Sequence, residues 1–108
     1  MKPIFNPFDY DEHTVMHCPD YESIVIFLTC LNDHGLKWCT GESYMKKIED
    51  YKRLSYNAFR FQAGKRGNLQ TYKSLNPNYI FLEFNDFQWE EENYDESPDL
   101  SNFLNSFA

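Results

Sequence analysis

The sequence predicts a small α+β domain in which one main amphipathic helix packs on an antiparallel sheet and a short helix follows near the C-terminus. Three observations predict this class. An apolar stripe at helical spacing follows residues 18–20, alternating segments follow between residues 58 and 84, and 108 residues suit a single core. Because 19% of the residues are aromatic, large rings can fill that core.

The first elements are an irregular arm and a short strand. Residues 1–13 are interrupted by prolines, and Phe5 and Phe8 are positioned to pack onto the body. Residues 14–17 begin with the β-branched pair Thr14-Val15, which favours a strand.

The main helix is expected over residues 19–34. Proline suits a first helical turn, and Asp20 lies where the helix dipole favours negative charge. Gly35 can adopt the left-handed conformation that commonly ends a helix. The apolar stripe is formed by Ile24, Phe27, Leu28 and Leu31.

The middle of the chain predicts a run of short elements. Residues 43–51 have a helical pattern that starts at Ser43, and the glycines of residues 64–68 suggest a hairpin tip. Asn76-Pro77-Asn78 is typical of a turn. Strands are expected at residues 36–39, 58–62, 69–73 and 79–84.

Charge divides the chain into a nearly neutral body and an acidic C-terminal third. Residues 1–73 carry ten Lys or Arg and nine Asp or Glu, whereas residues 74–108 carry eight acids and no Lys or Arg. We therefore expect a body over residues 1–84 and an acidic extension over residues 85–108. Phosphate contacts need Lys and Arg, so this distribution disfavours direct nucleic-acid binding and favours a basic protein partner. The eight acids are Glu83, Asp86, Glu90, Glu91, Glu92, Asp95, Glu96 and Asp99.

Aromatic residues within the acidic extension suggest a contact surface. Phe87, Trp89 and Tyr94 can supply contact area between carboxylates that occupy the places of phosphates. Together with the eight acids they are the predicted partner-binding residues. The alternative is a solvated acidic linker and tail.

The end of the chain predicts a capped helix. Ser97-Pro98-Asp99 has the order of an N-cap, a first-turn proline and a first-turn acid. The stripe that follows must bury against the body, a partner or a second copy, so a homo-oligomeric structural or regulatory module is a second hypothesis. The stripe consists of Leu100, Phe103, Leu104 and Phe107.

Catalytic and cofactor chemistry find little support in the residue pattern. Cys18, Cys30 and Cys39 are odd in number and match no zinc-ligand spacing, so we expect reduced thiols, no metal and no cofactor. Adjacent exposed acids such as those of residues 90–92 stay ionised, which is unsuitable for general acid catalysis. We expect a non-enzymatic, cytoplasmic protein. A small enzyme or small-ligand binder using His34, Trp38 and Cys39 is a third hypothesis.

The segment from residue 18 to residue 44 resembles small uncharacterised proteins from phages and mobile elements of Gram-positive bacteria. In their usual pattern a strand is followed by the motif CPT or CPD and then by an amphipathic helix. After the helix come the motif GY-x-W or GL-x-W and the pair SG or TG. Cys18-Pro19-Asp20, Gly35-Leu36-Lys37-Trp38 and Thr40-Gly41 hold those places here. The resemblance covers about a quarter of the chain and implies a folding signature, with no active site to transfer.

Small size and acidity are also similar in character to phage inhibitors of bacterial defence, among which the anti-CRISPR proteins are best known. Several of those block a nuclease groove by imitating DNA. The resemblance implies a cytoplasmic inhibitor of a host CRISPR nuclease such as Cas9, with the acidic extension as its DNA mimic.

Overall fold

A computed structural model describes residues 2–89 of the chain. It contains two α-helices and four strands, joined by short 3-10 helices. In chain order the elements are β1 (Thr14–His17), α1 (Tyr21–Asp33), β2 (Ala58–Arg60), β3 (Lys65–Gly67), α2 (Leu69–Leu75) and β4 (Ile80–Glu83). The 3-10 helices are Pro7–Asp9, Ile48–Lys52 and Phe84–Asp86.

The four strands form one mixed sheet, which confirms the α+β class and corrects the expected antiparallel arrangement. The order is β3-β2-β1-β4, with β2 antiparallel to its neighbours and β4 parallel to β1. A parallel pair needs a long connection, and here the whole stretch from α1 to α2 separates β1 from β4. The prediction was wrong because it paired consecutive strands, whereas β4 returns to the free side of β1.

Helix α1 follows its prediction closely. Asp20 is the N-cap, and its Oδ1 accepts a hydrogen bond from the Ser23 N–H at 2.8 Å. The Ser23 hydroxyl oxygen in turn accepts from the Asp20 N–H at 3.1 Å, which completes a capping box. Gly35 has a φ of 83°, and the Leu36 N–H donates to the Leu31 carbonyl, which closes the C-terminus. All four residues of the predicted stripe are buried: Ile24, Phe27, Leu28 and Leu31.

Aromatic rings dominate the core between α1 and the sheet. Phe27 contacts Phe59 and Phe61 with ring centroids 5.8 and 5.6 Å apart. Phe5 of the N-terminal arm lies edge-on to Phe27 and Phe61, which confirms that the arm packs onto the body. Phe8, by contrast, is 59% exposed. The arm therefore contributes one core ring where two were expected.

The segment around residues 61–75 differs from its prediction. The turn lies at residues 61–64, so the supposed hairpin tip at 64–68 is mostly strand β3. The expected strand at 69–73 is helix α2, because Leu69 and Tyr72, three residues apart, both pack against Val15 and Ala58 on the second face of the sheet. The Asn57 side chain accepts from the Leu69 N–H at 3.0 Å and caps this helix.

Residues 36–51 also form less regular structure than expected. The predicted strand at 36–39 is reduced to one bridge between Lys37 and Ser43, because a tight turn folds the chain back on itself. The predicted helix over 43–51 is reduced to the 3-10 helix Ile48–Lys52. Its first part is interrupted because Lys47 has a φ of 59°, which a right-handed helix cannot accommodate.

Candidate functional site

The structure describes four of the eleven predicted partner-binding residues, namely Glu83, Asp86, Phe87 and Trp89. The other seven lie outside the described residues: Glu90, Glu91, Glu92, Tyr94, Asp95, Glu96 and Asp99. The predicted C-terminal helix, with Leu100, Phe103, Leu104 and Phe107, lies outside them as well.

Glu83 ends strand β4 next to the central strand. Nδ1 of His17 donates to its Oε1 at 2.6 Å, and the Glu83 side chain is 38% exposed. The register of the parallel pair places the two residues directly opposite each other. Glu83 therefore already has a hydrogen-bonding partner within the body, which limits its share in an anionic surface.

Asp86 and Phe87 follow at the 3-10 helix Phe84–Asp86. Asp86 is exposed, so its carboxylate is available to a partner. Phe87 is half-buried, and its ring lies edge-on to Phe5 with centroids 5.3 Å apart. Of the described candidates, Asp86 is the best placed to contribute charge.

Trp89 is a core residue. It is 2% exposed, and its ring stacks on Phe84 with centroids 4.6 Å apart. Its Nε1–H donates to the Phe84 carbonyl at 3.1 Å. A ring buried in this way is not available as a surface anchor, so we exclude Trp89 from the proposed contact surface. The sequence predicted a surface position for Trp89 because acidic residues follow it directly.

The N-terminal arm pairs with the backbone just before Trp89 and packs against the Trp89 ring. Ile4 and Gln88 form a parallel bridge, in which the Phe5 N–H donates to the Gln88 carbonyl at 3.2 Å and the Gln88 N–H to the Pro3 carbonyl at 2.8 Å. Phe5 also contacts Trp89 at 4.9 Å between ring centroids. The folded body thus includes residue 89, and the acidic run, residues 90–99, begins at the next residue.

The three cysteines differ in their surroundings, since Cys18 and Cys30 are buried. Burial, and to a smaller extent the carboxylates of Glu83 and Asp20, raise the pKa of the Cys18 thiol well above its usual value, which keeps it protonated. Cys30 Sγ lies 3.7 Å from Nδ1 of His34, whereas Cys39 is exposed. Only a thiolate is an effective nucleophile, so Cys18 is unsuited to that role.

Sequence reasoning missed a basic pocket on the body. It has a volume of about 540 Å³ and lies between the turn after Trp38, the segment around the 3-10 helix Ile48–Lys52, and strand β3. The adjacent basic pairs Lys46-Lys47 and Lys65-Arg66 were a signal for it, but nothing local showed that they meet. The lining residues are Trp38, Cys39, Thr40, Glu42, Lys46, Lys47, Asp50, Leu54, Gly64, Lys65 and Arg66.

Comparison of the chain with protein-family models, with curated proteins and with solved structures gives no match. Within residues 2–89, neither helix is long and apolar enough to cross a membrane. In that same part of the chain, no three His, Cys, Asp or Glu side chains are grouped as metal ligands would be.

Proposed function

We propose that the protein is a non-enzymatic inhibitor of phage origin that binds the basic nucleic-acid-binding surface of a host defence nuclease, with a CRISPR nuclease as the favoured partner. The acidic residues from Asp86 to Asp99 supply the negative charge that occupies the place of DNA phosphates. The observation that carries this proposal is the uneven distribution of charge along the chain. The last 35 residues contain eight Asp or Glu and no Lys or Arg.

Attachment of the acidic run to the body supports this proposal. The backbone is hydrogen-bonded to the N-terminal arm at Gln88 and packed into the core at Trp89. Seven of the eleven predicted contact residues follow directly in sequence. Because the run starts from a fixed point on a folded domain, less freedom is lost on binding than for an acidic peptide alone.

The test is a binding assay with purified CRISPR nucleases at low and high salt. Glu90, Glu91 and Glu92 are changed together to glutamine, which removes three charges and keeps side-chain size. We expect wild-type binding to weaken with salt, since exposed charge pairs are screened, and the variant to bind about tenfold or more weakly at low salt.

A matched control removes the same charge elsewhere. Glu12, Asp33 and Glu49 are exposed acids of the body, and their combined change to Gln, Asn and Gln should leave the affinity near the wild-type value. Equal binding by wild type and the Glu90/Glu91/Glu92 variant would show that the acidic run is not the contact surface. Equal weakening in both variants would show that only net charge matters.

A further inference from the structure

The basic pocket has the volume of a ligand site. Its volume of about 540 Å³ falls within the usual range for small-molecule pockets, roughly 300–1,000 Å³. One wall is tightly constrained, because the Cys39 N–H donates to the Gly64 carbonyl at 3.1 Å. A Cβ at Gly64 would lie 2.3 Å from that same Cys39 nitrogen. The two segments can approach this closely only because residue 64 is glycine.

Arg66 is fixed on the same side of the pocket by aromatic side chains. Its Nη1–H donates to the Tyr51 hydroxyl at 2.7 Å, and its guanidinium lies 4.6 Å from the Tyr56 ring centroid. It also lies 5.8 Å from the ring centroid of Trp38, which lines the pocket. The guanidinium is held in place without a carboxylate partner among the described residues, so its charge is not neutralised by an ion pair there.

Charge in the pocket is predominantly positive. Four cationic and two anionic side chains line it, and one of the four is already paired, since Lys46 contacts Glu42 at 2.9 Å. Within residues 2–89, no carboxylate forms a salt bridge with Lys47 or Lys65. These two amines are therefore available to an anionic ligand.

Lys47 also has an unusual backbone. In the described part of the chain it is the one non-glycine residue with positive φ, at 59°. A left-handed conformation at a residue with a side chain costs about 1–2 kcal/mol, and such strain concentrates at functional sites. The strained residue here is one of the two lysines that face the pocket without a salt bridge.

From this geometry we propose that the pocket binds a small aromatic phosphate ester of mononucleotide size. Lys47 and Lys65 meet the phosphate, whose charge of about −1.5 to −2 matches two lysines. The Trp38 ring packs against Tyr44, with centroids 4.4 Å apart, and the part of Trp38 that lines the pocket supplies an apolar contact for the ligand ring, because bases stack readily on aromatic side chains. Trp38, Lys47 and Lys65 do not belong to the acidic extension, and this site does not rest on the proposed inhibitor role.

The experiment is a titration of the full-length, ¹⁵N-labelled protein with AMP and UMP, followed by NMR. The indole N–H of Trp38 and the amides of Cys39, Lys47 and Lys65 should shift saturably, while the indole N–H of buried Trp89 stays in place. Adenosine and ribose 5-phosphate each lack one half of the ligand and should bind about tenfold or more weakly.

Matched variants test the assignment of the lysines. The double change Lys47→Gln and Lys65→Gln should weaken mononucleotide binding about tenfold or more, because two charge-assisted contacts are lost. Lys52→Gln with Lys73→Gln removes the same charge from exposed positions outside the pocket and should leave affinity unchanged. An unshifted Trp89 indole signal shows that each variant is folded.

The proposal is overturned if neither mononucleotide saturates, if the shifts map away from the pocket, or if both double variants bind alike. Saturable binding at the pocket that only the Lys47/Lys65 variant loses supports it.

Discussion

Trp89→Ala should destabilise the body severely, although Trp89 immediately precedes the acidic run. Its ring is 2% exposed and contacts Phe84 and Phe5 at 4.6 and 4.9 Å. Removing a buried tryptophan side chain costs about 3–5 kcal/mol, and loss of the indole hydrogen bond adds about 1 kcal/mol. The Phe84 carbonyl keeps the Phe87 N–H as a donor at 3.3 Å, so it is not left unsatisfied.

This loss is comparable to the whole stability of a domain of this size, about 5–15 kcal/mol. Urea denaturation followed by far-ultraviolet circular dichroism measures it without relying on tryptophan fluorescence. Phe8→Ala, at a ring that is 59% exposed, is the aromatic control and should cost less than about 1 kcal/mol. A Trp89→Ala variant within about 1 kcal/mol of wild type would refute the account of Trp89 as a core residue.

Two further predictions concern the body. Gly64→Ala should cost more than about 2 kcal/mol by thermal or urea denaturation, because the new Cβ meets the Cys39 nitrogen at 2.3 Å and φ is +67°. Gly35→Ala, with positive φ but open space, should cost only about 1 kcal/mol, and equal costs would contradict the close approach. Stability should fall above about pH 8.5, the ordinary pKa of a thiol, because unfolded Cys18 ionises there while folded Cys18, with its raised pKa, keeps its proton. The expected contribution is about 1.4 kcal/mol per pH unit until the folded pKa is reached, and a Cys18→Ala variant with an unchanged pH slope of unfolding free energy would contradict it.

Helix α1 could be predicted because its signals are local. The Asp20 cap, the stripe through Leu31 and the terminal Gly35 all act within one element, and the structure contains each of them. Helix α2 could not be predicted, because so short a segment fits two patterns. Leu69 and Thr71 would share one face of a strand, whereas Leu69 and Tyr72 share one face of the helix. Its cap comes from Asn57, twelve residues away. The parallel pairing of β1 with β4 was equally inaccessible, because it depends on long-range contacts.

The candidate sites show the same division. The acidic run is visible in the sequence because its charges are consecutive. The burial of Trp89 is not visible in the sequence, because it depends on contacts with Phe84 and with Phe5 of the distant N-terminal arm. The basic pocket was missed because Lys47 and Lys65 belong to segments that only the fold brings together.

Displacement of labelled duplex DNA from a CRISPR nuclease tests the central claim most directly. If the acidic run occupies the place of phosphates, the wild-type protein should compete with DNA. Substituting Glu90, Glu91 and Glu92 with glutamine should raise the concentration needed about tenfold or more, while the Glu12/Asp33/Glu49 control should not. Wild-type protein that binds the nuclease without displacing DNA, or a Glu90/Glu91/Glu92 variant that displaces it equally well, would contradict the account.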